Sequence, residues 1–533
     1  MAFVANKNQQ ITLSDSIFQL TDREKKFLDK SWAKVFAEKI FPAINEEDFA
    51  VLYSNKASRP NTPVNVIVGS LILKESLGVT DDEMVEGLMF DIRYQYALHT
   101  TSFEEQPLSD RTLSRFRARC LAYETETGID LIHSCITKLA KEISEFMNLT
   151  PNLQRMDSVM IAANIRKMSM LELFYTCVAN LTKVMVQRNL ELPDALKHYL
   201  EKDDDNRIIY HNREQDTQER INAVMRDGEK LLDICSGDFD DTSEYQLLIR
   251  LFKEQTIFDN DGTRRIRNKE EREEPSKFLR NPADPEATFR HKGSNHIGYV
   301  GNIVESVGEH GSVITDYAYE QNIYSDSHFL QDYLSEQPLR NENVITLVTD
   351  GAYGGENNIA EAAKHGIRLI PTHFTSHKPS AVFAEFKFSK DGTKLLECAN
   401  SKHPTCTYYN SQTEFCTAKF KRSDCENCPY QSECSPKLRK TYAMKEVSWK
   451  AVNRAKLALY METDEFKELA HFRCGVEAIP SLLRRKYRVD KIPTNGKKQT
   501  RFHFGFKIGA INFKKLLNYY SGLEEYAPKA NAS

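Results

Sequence analysis

The sequence predicts a mixed α/β core behind a helical N-terminal domain, and three observations carry that prediction. Residues 344–348 (VITLV) form an apolar, β-branched run that stops at Thr349-Asp350-Gly351, as a strand buried on both faces would. Residues 297–304 and 312–319 are two further strand-like runs around Glu309-His310-Gly311, a hairpin pattern. A shorter run, residues 153–162, carries Asp157 near its middle and is parted from the others by a long helical stretch.

In chain order, residues 1–150 read as a helical domain. Thr62-Pro63 supplies a capping hydroxyl and a first-turn proline, and the apolar run that follows ends at Gly78, a start and a stop for a helix. Ser109 precedes a second segment, in which Leu113, Phe116 and Cys120 share one helical face while Arg111, Arg115 and Arg119 recur on another. Residues 151–520 read as the α/β core. A helical insertion occupies about 167–285, and its charged stretch 263–280 is expected to be a linker or an exposed helix end. After the hairpin come a helix at 326–336, the buried strand, a helix at 358–365 and a strand at 367–370. A Cys-rich insertion spans about 395–445, and residues 521–533 form a tail.

Hydrophobic residues make up 40% of the 533, which is enough for packed cores and excludes a disordered chain. The N-terminus has no basic-then-apolar leader, and no apolar run approaches the roughly 20 residues of a membrane span. A soluble, cytoplasmic protein is expected. The net charge of −4 is unlike that of a small basic DNA-binding module. Its distribution argues the other way, because Arg484 to Lys515 holds eleven Lys or Arg against Asp490 alone. A local surplus of that kind suits phosphate backbone, whose affinity comes mainly from released counterions.

Asp350 lies where a buried strand ends in a loop, the position at which carboxylates line the ligand crevice of α/β sheets. Asp157 is expected on the first strand of the same sheet, and Glu477 is the third candidate, opening a helix near Pro480. Three converging carboxylates repel one another. Two divalent cations such as Mg²⁺, which take hard oxygen ligands, resolve that conflict.

These residues resemble the DDE transposases of bacterial insertion sequences, most closely the insertion-sequence-1182 group, over nearly the whole chain. The matching segments are 61–120, Met156-Asp157-Ser158, Asp284-Pro285-Glu286-Ala287 with Lys292 and Gly298-Tyr299, Val348 to Tyr353, and Arg473 to Glu477. The superfamily's Tyr, Arg, Glu, Lys signature is met by Arg473 and Glu477, with Arg484 in place of the Lys and Ala470 in place of the Tyr. The resemblance implies a ribonuclease-H-like core in which Asp157, Asp350 and Glu477 hold two Mg²⁺ (or Mn²⁺) ions. It also implies DNA contacts by Arg473 and Arg484; the neighbouring Arg485 and Lys486, and Arg111 and Arg115 on the helical domain, are further candidates. A metal-activated water would cut the element's end and the freed 3′-hydroxyl would attack target DNA. The implied partners are double-stranded DNA (terminal inverted repeats and target) and a second copy of the chain, in the bacterial cytoplasm at the nucleoid. A transposase-derived DNA-binding protein without catalysis is the alternative, and a nuclease without strand transfer is a third reading.

Six of eleven cysteines fall between Cys398 and Cys434, including the pair Cys425 and Cys428 in a CxxC. With Cys434 and an upstream partner they match a structural Zn²⁺ site. The resemblance favours Cys398 as the fourth ligand, whereas spacing alone leaves Cys406 and Cys416 open. Reduced thiols or an iron–sulfur cluster are the other readings. His373 and His377 follow a strand end, from which they could approach the site, and are expected to be ordinary loop histidines. Trp449 lies in the insertion region, where some of the resembled transposases place a base-stacking aromatic, and is expected to be a buried tryptophan. Cys120, Cys135, Cys177, Cys235 and Cys474 are expected to be packing residues.

Overall fold

The computed structural model describes residues 1–6, 16–54, 59–100, 108–150, 152–211, 216–374 and 378–522. His377 and nearly all of the tail, 523–533, lie outside the described residues.

Four helices dominate the N-terminal region: α1 (Val64–Leu77), α2 (Asp81–Phe90), α3 (Asp110–Thr127) and α4 (Leu131–Phe146). Pro63, not Thr62, is the cap position of α1 and makes no side-chain capping bond; Gly78 closes the helix at φ +73°, a left-handed conformation that glycine adopts without a Cβ penalty. Ser109 caps α3 in a reciprocal pair with Thr112. Leu113, Phe116 and Cys120 are buried, which turns Arg111 and Arg115 to solvent. Arg119 instead lies 5.0 Å from the Tyr53 ring.

The central sheet is mixed. Its strands are β1 (Leu153–Ala162), β2 (Thr288–Lys292), β3 (Ser294–Gly308), β4 (Gly311–Gln321), β5 (Arg340–Thr349) and β6 (His365–Pro371), in the order β2-β3-β1-β5-β6 with β4 also paired to β3. β3 runs antiparallel to β1, β2 and β4, while β1, β5 and β6 are parallel. The β3–β4 hairpin turns at Glu309-His310.

Between β1 and β2 stand α5 (Met170–Gln187), α6 (Thr217–Cys235) and α7 (Ser243–Gln255), which close a separate apolar core around Phe174, Leu231 and Phe252. The stretch expected to be a linker contains the strand Arg264–Ile266, paired to Thr256–Phe258. Arg265 is held there by Asp259 and Glu271 at 2.7 Å each. Charge there builds ion pairs on a small hairpin.

Around the sheet stand the further helices α8 (Asp326–Ser335), α9 (Glu356–Lys364), α10 (Trp449–Tyr460), α11 (Asp464–Cys474), α12 (Ala478–Arg485) and α13 (Lys497–Tyr520). Because side chains alternate along a strand, β1 presents Met156 and Met160 to one face and Val159 and Ile161 to the other. The first face packs on α8 and α9 through Phe329, Leu330 and Ala362. The second joins a large core with α13 and the N-terminal helices. Phe504 of α13 fits there only because Gly301 has no side chain: a Cβ would lie 2.7 Å from its ring. α13 is buried over most of its length, and its buried cations are paired, Lys507 with Glu75 and Lys515 with Glu305.

The Cys-rich segment is a second sheet, β7 (Cys406–Asn410), β8 (Phe415–Lys421), β9 (Lys437–Leu438) and β10 (Tyr442–Ser448), in the order β7-β8-β10-β9. Among the described residues no helix is long and apolar enough to cross a membrane.

Candidate active site

The register of the sheet sets the site. Met156 of β1 pairs in parallel with Thr349 of β5, so Asp157, midway along β1, and Asp350, just past the end of β5, stand side by side. Asp350 also caps a short 3₁₀ turn, accepting from the Ala352 N–H. The third acid arrives from far along the chain: α11, the 3₁₀ turn Gly475–Glu477 and α12 pack against β5 and β1. Glu477 stands at the cap position of α12, so it opens that helix as the sequence suggested, and it also ends the 3₁₀ turn that links α12 to α11.

All three carboxylates meet on one guanidinium. Arg473 Nη2 is 3.2 Å from Asp157 Oδ2 and 3.8 Å from Asp350 Oδ2, while Nη1 donates to Glu477 Oε1 at 3.0 Å. Arg473 is 12% exposed and Glu477 61%, so the cluster is closed below and open above. The Arg473 Nε atom is buried without a hydrogen-bond partner. Burial pushes the Asp157 carboxyl above its ordinary range, Arg473 and the Ser158 N–H draw it down, and Asp350 and Asp326 push it up again. One cation among three acids leaves the site short of positive charge. The donor set, carboxylate oxygens in negative surroundings, fits a hard divalent cation in its chemistry. No grouping of three or more His, Cys, Asp or Glu among the described residues has the closeness of a formed metal cage.

His373, set aside in the sequence as a loop residue, touches the cluster: its Nε2 lies 2.8 Å from Asp350 Oδ1. The backbones behind this contact are pressed together, since a Cβ on Gly351 would lie 2.2 Å from the His373 carbonyl oxygen. A readable signal existed, because His373 stands two residues past the end of β6, the strand beside β5.

The other candidates lie around and beyond this centre. Arg484 donates to the Met160 carbonyl at 2.8 Å and sits 3.7 Å from Asp490, at the opposite end of β1 from Leu153. Arg485 and Lys486 are exposed on and just after α12. In the Cys-rich sheet, Cys416 is buried in the apolar core, and Cys406 is exposed on β7. Cys425 lies among Cys398, Cys434 and Cys428; burial and these neighbours push its thiol up to about 11. The four are electrostatic neighbours, not a formed ligand cage. Two packing expectations are corrected. Cys474 is exposed at the end of α11, and Trp449 is 44% exposed, with its ring pressed on Gly392.

Two family models match the chain: a transposase DDE domain over residues 397–517 and a transposase domain (DUF772) over residues 23–119. The first spans the Cys-rich sheet, Arg473 and Glu477; the second spans α1, α2 and the Arg-striped half of α3. Together they define a transposase. The two matches support an insertion-sequence DDE transposase. No curated protein and no solved structure matches it.

Proposed function

We propose that this chain is a catalytically active transposase of the insertion-sequence-1182 group. It cuts DNA at the ends of its element and joins the freed ends to target DNA, in cut-and-paste fashion. The observation that carries the reading is the meeting of Asp157, Asp350 and Glu477, from three distant segments, on the single guanidinium of Arg473. The sheet supports a ribonuclease-H-like core, with an antiparallel hairpin on one side of β1 and two parallel strands on the other; the helical stretch between β1 and β2 and the Cys-rich sheet are its insertions.

Asp157, Asp350 and Glu477 would hold two Mg²⁺ or Mn²⁺ ions. Divalent cations there supply neutralisation of the charge that builds on a transferring phosphoryl group. The chain's own residues position the DNA. Arg473, at the floor of the cluster, and Arg484 reach backbone phosphates, and Arg485 and Lys486 extend that track. Arg111 and Arg115 form a second exposed stripe on α3, suited to phosphates across a groove. Cys398, Cys425, Cys428 and Cys434 would hold a structural Zn²⁺ that braces the Cys-rich sheet. The reaction needs two element ends together, hence a homodimer on double-stranded DNA, acting in the cytoplasm at the nucleoid. A DNA-binding relic without catalysis is the poorer reading, because three crowded carboxylates are costly to keep without the cations they serve.

The test is to incubate the full chain with a plasmid carrying its gene and flanking DNA, with Mg²⁺ or with EDTA, beside Asp350→Ala, and to map the 3′ ends. Mg²⁺-dependent cuts at inverted repeats, absent with Asp350→Ala, are expected. DNA binding with no cutting under any divalent ion contradicts the proposal.

A further inference from the structure

Two residues before Asp157, on the same face of β1, the strand carries an arginine that the site described above does not use. Arg155 is 3% exposed. Its Nε donates to Glu305 Oε2 of β3 at 2.6 Å, and its Nη1 donates to the Phe472 carbonyl at 2.8 Å. The guanidinium also lies 5.1 Å from the Phe472 ring. Phe472 precedes Arg473, and its carbonyl belongs to the last turn of α11, where helix carbonyls lose their regular partners. Gly475 starts the turn that carries Glu477 and has helical backbone angles, φ −62° and ψ −23°. Backbone freedom therefore does not explain that glycine. Space does: a Cβ there would lie 2.1 Å from Arg155 Nη1. The corner is shaped to admit the guanidinium.

We propose that Arg155 is a positioning residue for the acidic cluster, clamping the α11 corner so that Arg473 and Glu477 are presented to Asp157 and Asp350. The clamp is itself anchored: Glu305 is fully buried and also bound by Lys515 of α13, which fixes the position of the Arg155 guanidinium. A rigid long-range peg is what a site assembled from distant segments needs, because errors of about 1 Å in catalytic geometry cost roughly 10²-fold in rate. The inference rests on the proposed function for its consequence and on the geometry alone for the clamp.

The experiment uses the full chain and two variants that attack the clamp from opposite sides. Arg155→Lys keeps a cation for Glu305 but cannot serve Glu305 and the Phe472 carbonyl together. Gly475→Ala leaves Arg155 in place and forces its Nη1 off the carbonyl. Amide hydrogen exchange of peptides covering residues 470–480 reads the corner directly. Single-turnover cleavage of end DNA and the Kd for that DNA read the consequence. In each variant that folds, exchange of the corner is expected to speed up by about tenfold or more while peptides from β3 and α13 stay protected. Cleavage is expected to slow by roughly 10- to 100-fold with Kd unchanged. If Arg155→Lys does not fold, Gly475→Ala decides alone. A folded variant with wild-type exchange at 470–480 and wild-type cleavage overturns the proposal. Should wild-type protein fail to cut in an Asp350-dependent way, the proposed function fails, and the exchange arm still judges the clamp.

Discussion

Two ion clusters sit on one face of β1, two residues apart, with opposite charge ratios. Around Asp157, three carboxylates share the single guanidinium of Arg473. Around Arg155, the guanidinium and the Lys515 ammonium enclose the single carboxylate of Glu305. The second cluster is sealed, and its surroundings hold Glu305 down at about 2 although burial alone would raise it. The first is open on the Glu477 side, and burial raises Asp157. A sealed cluster whose one carboxylate is bound by two buried cations serves the fold. A cluster left deficient in positive charge at the surface is arranged for something else to complete it.

The largest expected effect separates the clusters by activity. Asp350→Asn should lower end cleavage by about 10³-fold or more while the urea midpoint holds or rises, because one of three mutually repelling charges is gone. A clear fall in the midpoint would mean that the acidic cluster serves the fold after all. Next comes stability. Glu305→Gln should cost about 3–5 kcal/mol by leaving two buried cations unanswered. The sign with pH follows from a folded value of about 2 against an ordinary 4.5. The stabilisation is complete above about pH 4.5 and is lost as the pH falls toward 2. Urea titrations of wild type and variant should converge over that window, and a constant gap would break the comparison. The smallest effect is at His373, whose contact with Asp350 is solvent-accessible. His373→Ala should slow cleavage by a factor of about 5, the worth of roughly one hydrogen bond, without moving the urea midpoint.

How much of this was legible in the sequence depends on whether the signal was local. The apolar run ending at Asp350 and the hairpin at Glu309-His310 are local patterns, and both strands formed as their periodicity required. Glu477 could be singled out from its neighbours, but not its setting: the helix before it, α11, is capped by Thr463, which accepts from the Phe466 N–H, a start the sequence reading overlooked. The stretch 263–280 misled because charge was taken for solvation, whereas Arg265 spends its charge on Asp259 and Glu271. Trp449 was expected to be buried rather than to present a stacking face, yet its ring covers Gly392 at the surface. His373 was hinted at by its place just past a strand end, whereas Arg155 became visible only once the fold placed Phe472 over β1. No single-residue pattern encodes that.

Asp157 and Asp350 are proposed to bind the divalent metal through their carboxylates. Titrating Mn²⁺ into the chain bound to its end DNA, followed by electron paramagnetic resonance, tests it most directly in wild type, Asp157→Asn and Asp350→Asn. The account predicts tight Mn²⁺ binding to wild type that falls by at least about tenfold in each variant while DNA stays bound. Equal Mn²⁺ affinity in all three proteins would contradict it.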